Sequence, residues 1–181
     1  MSAIYLSFLL SSFVTLNRGL RRAADTGVKR NTPLSTLLVN GCTICYDAEY
    51  GSETKSVDIA SCSGPFLFVG ARRHDGSVLE IGAIASAKIV QSESSRSNPS
   101  LSRGTYWHFS KGESFGFTAE QNDSNTSADV VQENSETSNI CTESRLLWRL
   151  DQANGTANCH QRANITMWRK NIYNCPHLSC E

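Results

Sequence analysis

Gly112-Glu113-Ser114-Phe115-Gly116 fits the G-x-S-x-G pattern in which a serine acts as a nucleophile. That chemistry needs the serine on a sharp turn between a strand and a helix, with an acid and a histidine later in the chain. Asp151 and His160 follow in that order. The segment after Phe117 is rich in Asn, Ser and Thr, which compete with helix formation, so a hairpin strand accounts for Ser114 better than an esterase elbow does.

The cysteines offer other chemistry. Cys42, Cys45, Cys62, Cys141, Cys159, Cys175 and Cys180 are seven, an odd number, so three intramolecular disulfides leave one thiol over. Cys42-Thr43-Ile44-Cys45 has the spacing of a redox dithiol, but no helix pattern follows to lower a thiol pKa. Cys42, Cys45 and Cys175 with His177 or Cys180 would supply the four N/S ligands of a tetrahedral zinc ion, although the second pair is irregularly spaced. Disulfides are the preferred reading. Spacing alone does not fix their connectivity; the expected pairs are Cys45 with Cys62, and Cys42 with Cys175 or Cys180. The spare thiol is either buried or joins two chains as a disulfide-linked dimer. His74, His108, His160 and His177 are dispersed, and neither a metal nor a cofactor is expected.

Four Asn-x-Ser/Thr acceptors begin at Asn122, Asn125, Asn154 and Asn164. With the cysteines, they point to an oxidising, glycosylating compartment. The apolar run Ala3–Leu16 has 14 residues, short of the ~20 that a membrane-spanning helix needs, and matches a signal-peptide core. No Lys or Arg precedes it and no A-x-A-like site follows it. No second such run exists, so the chain is not expected to span a membrane. Arg18-Gly19-Leu20-Arg21, just beyond, matches a minimal basic processing site and also the Arg-x-Leu-Arg host-targeting signature of secreted oomycete effectors.

The net charge is zero, which removes the footprint of a nucleic-acid binder. It conceals two opposed regions. Arg18, Arg21, Arg22, Lys29 and Arg30 face only Asp25 in residues 1–31, whereas residues 118–144 hold six acids and no Lys or Arg. The acids of Ala119–Ser144 lack the alternating Asp-x-Asp pattern of a calcium loop, so this segment is expected to be a long solvated loop.

The elements that would position these groups are strands. Phe66–Ala71 and Val78–Ala85 flank Asp75-Gly76, a type I′ hairpin signal, with Leu79, Ile81 and Ala83 on the expected core face. Gln91–Arg103 is a Ser-rich surface spacer. Thr105–Phe109 and Ser114–Phe117 flank the turn Ser110–Glu113, and Leu146–Leu150 and Ile165–Tyr173 supply further strands. Tyr106, Trp107, Phe109, Phe115, Phe117, Trp148, Trp168 and Tyr173 lie in these strands. Most should be core, and any left exposed beside a polar group could stack on a sugar.

Gly64–Ala71, Gly104–Phe109 with Ser114–Phe117, and Arg145–Asp151 with Trp168–Cys175 form three blocks in fixed order. This order resembles a β-rich extracellular domain of secreted animal proteins, among them those of cnidarians, molluscs and fish. The resemblance covers roughly residues 42–176. It implies a secreted domain and carries no catalytic residue.

The expected architecture is an all-β antiparallel sandwich or barrel with disulfides. A leader spans 1–16, a basic linker 17–41 and the folded domain 42–181. The expected role is non-catalytic: extracellular matrix association or binding of a cell-surface glycan or protein. The alternative is a secreted oomycete effector.

Overall fold

The computed structural model describes residues 27–49, 55–95, 97–119, 121, 130–131, 145–150 and 168–178. In chain order these form β1 (Lys29–Pro33), α1 (Leu34–Val39), β2 (Thr43–Glu49), α2 (Ser56–Ala60), β3 (Phe66–Arg73), β4 (Val78–Ser86), α3 (Ala87–Val90), β5 (Ser100–Ser102), β6 (Thr105–Ser110), β7 (Ser114–Thr118), β8 (Val130–Val131), β9 (Arg145–Arg149) and β10 (Trp168–Cys175). The first sheet has the order β1-β4-β3-β10-β2 and the second β5-β6-β7-β9-β8. Every pairing is antiparallel.

The two sheets pack face to face as a sandwich, because alternation places one apolar row per strand on each inner face. Leu67, Val69 and Ala71 of β3 and Ile81, Ala83 and Ala85 of β4 meet Trp107 and Phe109 of β6, Phe115 and Phe117 of β7, and Leu146 and Trp148 of β9. The ring of Tyr46 on β2 lies 6.1 Å from that of Trp148, and the Phe115 and Trp148 rings are 5.2 Å apart. Burying each of these Phe side chains contributes about 1.5–3 kcal/mol.

The first sheet is apolar on its outer face too. Phe68, Leu79, Ile84 and Tyr173 form a second cluster there with Leu37 of α1, Cys42 and Cys175. Leu79 joins this outer cluster because β4 bulges. Ala71 pairs with Ile81, but Arg72 pairs with Leu79, so Glu80 is the extra residue. The bulge corrects the simple alternation that put Leu79 on one face with Ile81 and Ala83. It moves Leu79 to the other side and leaves both faces of β4 buried.

Three other expectations need correction. The stretch 17–41 is not all linker: Lys29–Pro33 forms an edge strand paired with β4, and Leu34–Val39 forms α1. The helix ends in a Schellman turn. Gly41 takes φ 75°, its N–H bonds to the Leu38 carbonyl, and the Cys42 N–H bonds to the Leu37 carbonyl. The Ser-rich spacer carries β5 and a bridge from Ser94 to Phe109. The acidic stretch contributes Val130–Val131 as an edge strand.

The hairpin turns also differ from their signals. Neither Asp75 nor Gly76 has a positive φ, and residues 74–77 form a longer connection between β3 and β4. Arg72 Nη1 stitches that connection by donating to the carbonyls of Arg73, His74 and Gly76. The two-residue turn with positive φ at both positions is Arg103-Gly104, at 51° and 73°, between β5 and β6.

Candidate functional site

The disulfides lock β2. Cys42 bonds to Cys175 at the end of β10, and Cys45 within β2 bonds to Cys62 just after α2. The Schellman turn delivers Cys42 to Cys175, whose sulfurs lie in the outer cluster beside Leu37 and Tyr173. The Cys62 end is fixed by Gln91, whose Nε2 donates to the Ile59 and Cys62 carbonyls at 3.0 and 2.8 Å. Cys42 and Cys45 therefore have different partners, which removes the dithiol reading. It also removes the zinc reading, since the three sulfurs that site requires are consumed. Cys141, Cys159 and Cys180 lie outside the described residues, as do Asn122, Asn125, Asn154, Asn164 and Arg18-Gly19-Leu20-Arg21.

A charged network occupies the rest of the first sheet's outer face. Residues i and i+2 share a face in a strand, and the registers bring Asp47 opposite Asn171 and Glu49 opposite Arg169, with Arg72 on the far side of Arg169. Asp47 is the hub. It accepts from Arg169 Nε at 2.6 Å, Asn171 Nδ2 at 3.0 Å and Arg72 Nη2 at 3.4 Å. The Asp47 hydrogen bond holds the Arg169 guanidinium above its ordinary pKa, against a smaller opposing effect of burial. Burial has the opposite sign for the Tyr173 phenol and raises it; the Arg72 charge pulls it down and Asp47 adds to the rise. Beyond this network Arg73 pairs with Glu80 at 2.9 Å and stands 5.6 Å over the Trp168 ring. The three donors converge on one carboxylate, so the network fixes β2, β10 and β3 together.

Ser114 does not sit on an elbow. It is the first residue of β7, pairs with Ser110 and Arg149, and is fully buried. The turn before it is a hairpin: the Glu113 N–H bonds to the Ser110 carbonyl, and Gly112 takes φ 76°. His108 stands on the same face of the second sheet by register and is also buried, as are Thr118 and Arg145. Asp151 and His160 lie outside the described residues. Lys170, which the sequence reading passed over, is 1 % exposed on the inner side of β10 between Trp168 and Ile172.

The aromatics are core. Of the eight named, only Tyr106 is half-buried; Trp107, Phe109, Phe115, Phe117, Trp148, Trp168 and Tyr173 are buried. None forms an exposed stacking platform. Among the described residues, no group of three or more His, Cys, Asp or Glu is placed to hold a metal ion.

An open groove of about 460 Å³ lies where the β6–β7 turn meets the Ser94 bridge. Phe109 supplies the apolar part of its lining, Ser94 and Ser110 hydroxyls, Glu93 and Glu113 carboxylates, and Lys111 an ammonium group. A backbone bridge builds it: Ser94 N–H bonds to the Phe109 carbonyl at 2.9 Å, and Phe109 N–H returns to Ser94 O at 3.2 Å. No helix among the described residues is long and apolar enough to cross a membrane.

Comparison of the chain with protein-family models, curated proteins and solved structures gave no match.

Proposed function

We propose that the chain is an extracellular, disulfide-braced β-sandwich that binds a partner at a matrix or cell surface and does not catalyse a reaction. The observation that carries this reading is the pair of disulfides that tie down one edge strand, β2, from Cys42 just before it and Cys45 within it. Disulfides of this kind form and persist where thiols oxidise, in secreted and cell-surface proteins. The four Asn-x-Ser/Thr acceptors and the apolar run Ala3–Leu16 support the same compartment. A binding role is supported by the rigid two-sheet frame and the open groove, and by a Ser114 buried within a hairpin.

Expression in eukaryotic cells tests the compartment. Intact mass of protein recovered from the medium, with and without reductant and glycosidase, should show glycans and oxidised cysteines. Protein held inside the cells with free thiols and no glycan would overturn the reading.

A further inference from the structure

We propose that the groove between the β6–β7 turn and the Ser94 bridge is a saccharide site that takes an uncharged sugar. The inference rests on the extracellular binding reading above and names the surface and ligand class. Its argument is an inventory of hydrogen-bonding capacity. A serine hydroxyl has one donor and two acceptor positions. Ser94 Oγ directs its hydrogen to the Trp107 carbonyl at 3.3 Å, and Ser110 Oγ directs its hydrogen to the Ser94 carbonyl at 3.4 Å. Ser95 Oγ is paired with Ser97 Oγ at 2.9 Å and accepts from the Asn98 N–H. The Ser94 and Ser110 donors are therefore engaged within the chain, Ser94 Oγ also accepts from the Phe109 N–H at 3.3 Å, and Ser95 and Ser97 share one hydrogen bond in which either can donate.

What the groove offers a ligand is mainly acceptors. They are the remaining serine lone pairs and the exposed carboxylates of Glu93 and Glu113. Lys111 is the one charged donor in the lining. A complementary ligand must donate many hydrogen bonds from one compact frame and accept few. Neighbouring sugar hydroxyls do this, since two adjacent O–H groups can donate to the two oxygens of one carboxylate. The volume falls in the range that small ligands occupy. Two carboxylates against one ammonium disfavour sulfated, sialylated or uronic sugars, whose charge would meet like charge. Sugar hydroxyls can also accept from Lys111, which a cationic peptide side chain, the other donor-rich occupant, cannot do.

The test is a glycan array carrying neutral, sialylated and sulfated glycans, probed with purified, oxidised full-length protein. Titration of the best neutral glycan follows by backbone amide NMR. The proposal expects neutral glycans to bind, with amide shifts centred on Ser94, Ser110 and Lys111. The double variant Glu93→Ala/Glu113→Ala should weaken that binding at least about tenfold and leave thermal unfolding unchanged, since both side chains are exposed. Lys88→Ala, exposed and outside the groove lining, should bind neutral glycans within about threefold of the wild type. Absence of neutral-glycan binding, preference for sulfated glycans, tighter binding of a polylysine probe, or unchanged affinity of the double variant would each overturn the proposal. Such a result from a protein that is secreted and oxidised leaves the compartment reading intact. Retention with free thiols sinks that reading whatever the array shows.

Discussion

Tyr173 shows how a single side chain links the polar and apolar halves of one sheet face. Its ring lies in the cluster with Phe68, Leu79 and the Cys42–Cys175 sulfurs, while the charges of Arg72 and Asp47 act on its phenol. Burial raises the phenol above its ordinary value of 10 and is the largest cause. The unfolded chain then loses this proton first as the pH rises, so above about 10 the native state binds more protons than the unfolded state. Stability attached to Tyr173 is thus complete below about pH 9 and declines as the pH climbs through 10 toward the folded value. Urea unfolding midpoints across that window should fall more steeply for the wild type than for Tyr173→Phe. Parallel curves for the two proteins would refute the assignment.

Among the elements, the strands with clear alternation and the two disulfide pairs were legible in the sequence, and the polar network, the short helix α1 and the groove were not. β3, β4, β6, β7 and β9 each carry a run of strand formers beside Gly-containing turns. β2 carries Asp47 and Glu49 at i and i+2, and β10 carries Arg169 and Asn171 likewise, which is a signal for two polar faces. Their partnership joins residues 122 apart in the chain, and no local pattern encodes that pairing. The groove has the same origin: a Ser-rich stretch with no periodicity is ordered by a bridge to Phe109. Arg103-Gly104 escaped notice because Arg is an unusual residue for a positive φ. α1 was shorter than the window in which helical periodicity can be counted, although Leu34, Leu37 and Leu38 stand at helical spacing and Gly41 follows as a stop signal. A methyl group there would meet the Pro176 ring at 3.3 Å as well as a left-handed backbone. Gly41→Ala is therefore expected to cost about 1–2 kcal/mol in urea unfolding, and Ser35→Ala, exposed on the same helix, within about 0.5 kcal/mol of zero. Equal effects would mean that the turn does not hold the helix.

For the whole molecule, the expectation of an antiparallel β-sandwich agrees with the architecture, and both disulfides tie down β2 of the first sheet. β2 is its edge strand, half exposed and bonded only to β10 within the sheet. The Cys42–Cys175 bond closes a loop of 133 residues and Cys45–Cys62 one of 17. Loop-closure entropy gives about 5 and about 3 kcal/mol respectively. Removing Cys42–Cys175 as a Ser pair should consequently lower the urea midpoint more than removing Cys45–Cys62, with reduction of both lowering it furthest. The reverse order would show that local packing around Cys62 outweighs chain entropy.

The Arg103-Gly104 turn has one more consequence. Arg103 Nη1 holds the Leu178 carbonyl at 3.1 Å, and a methyl group built on Gly27 would sit 3.7 Å from the Gly104 carbonyl. The first and last portions of the described chain thus meet at the tip of one hairpin. That hairpin tip, part of the second sheet, therefore clasps the segments that lead into β1 and out of β10 of the first.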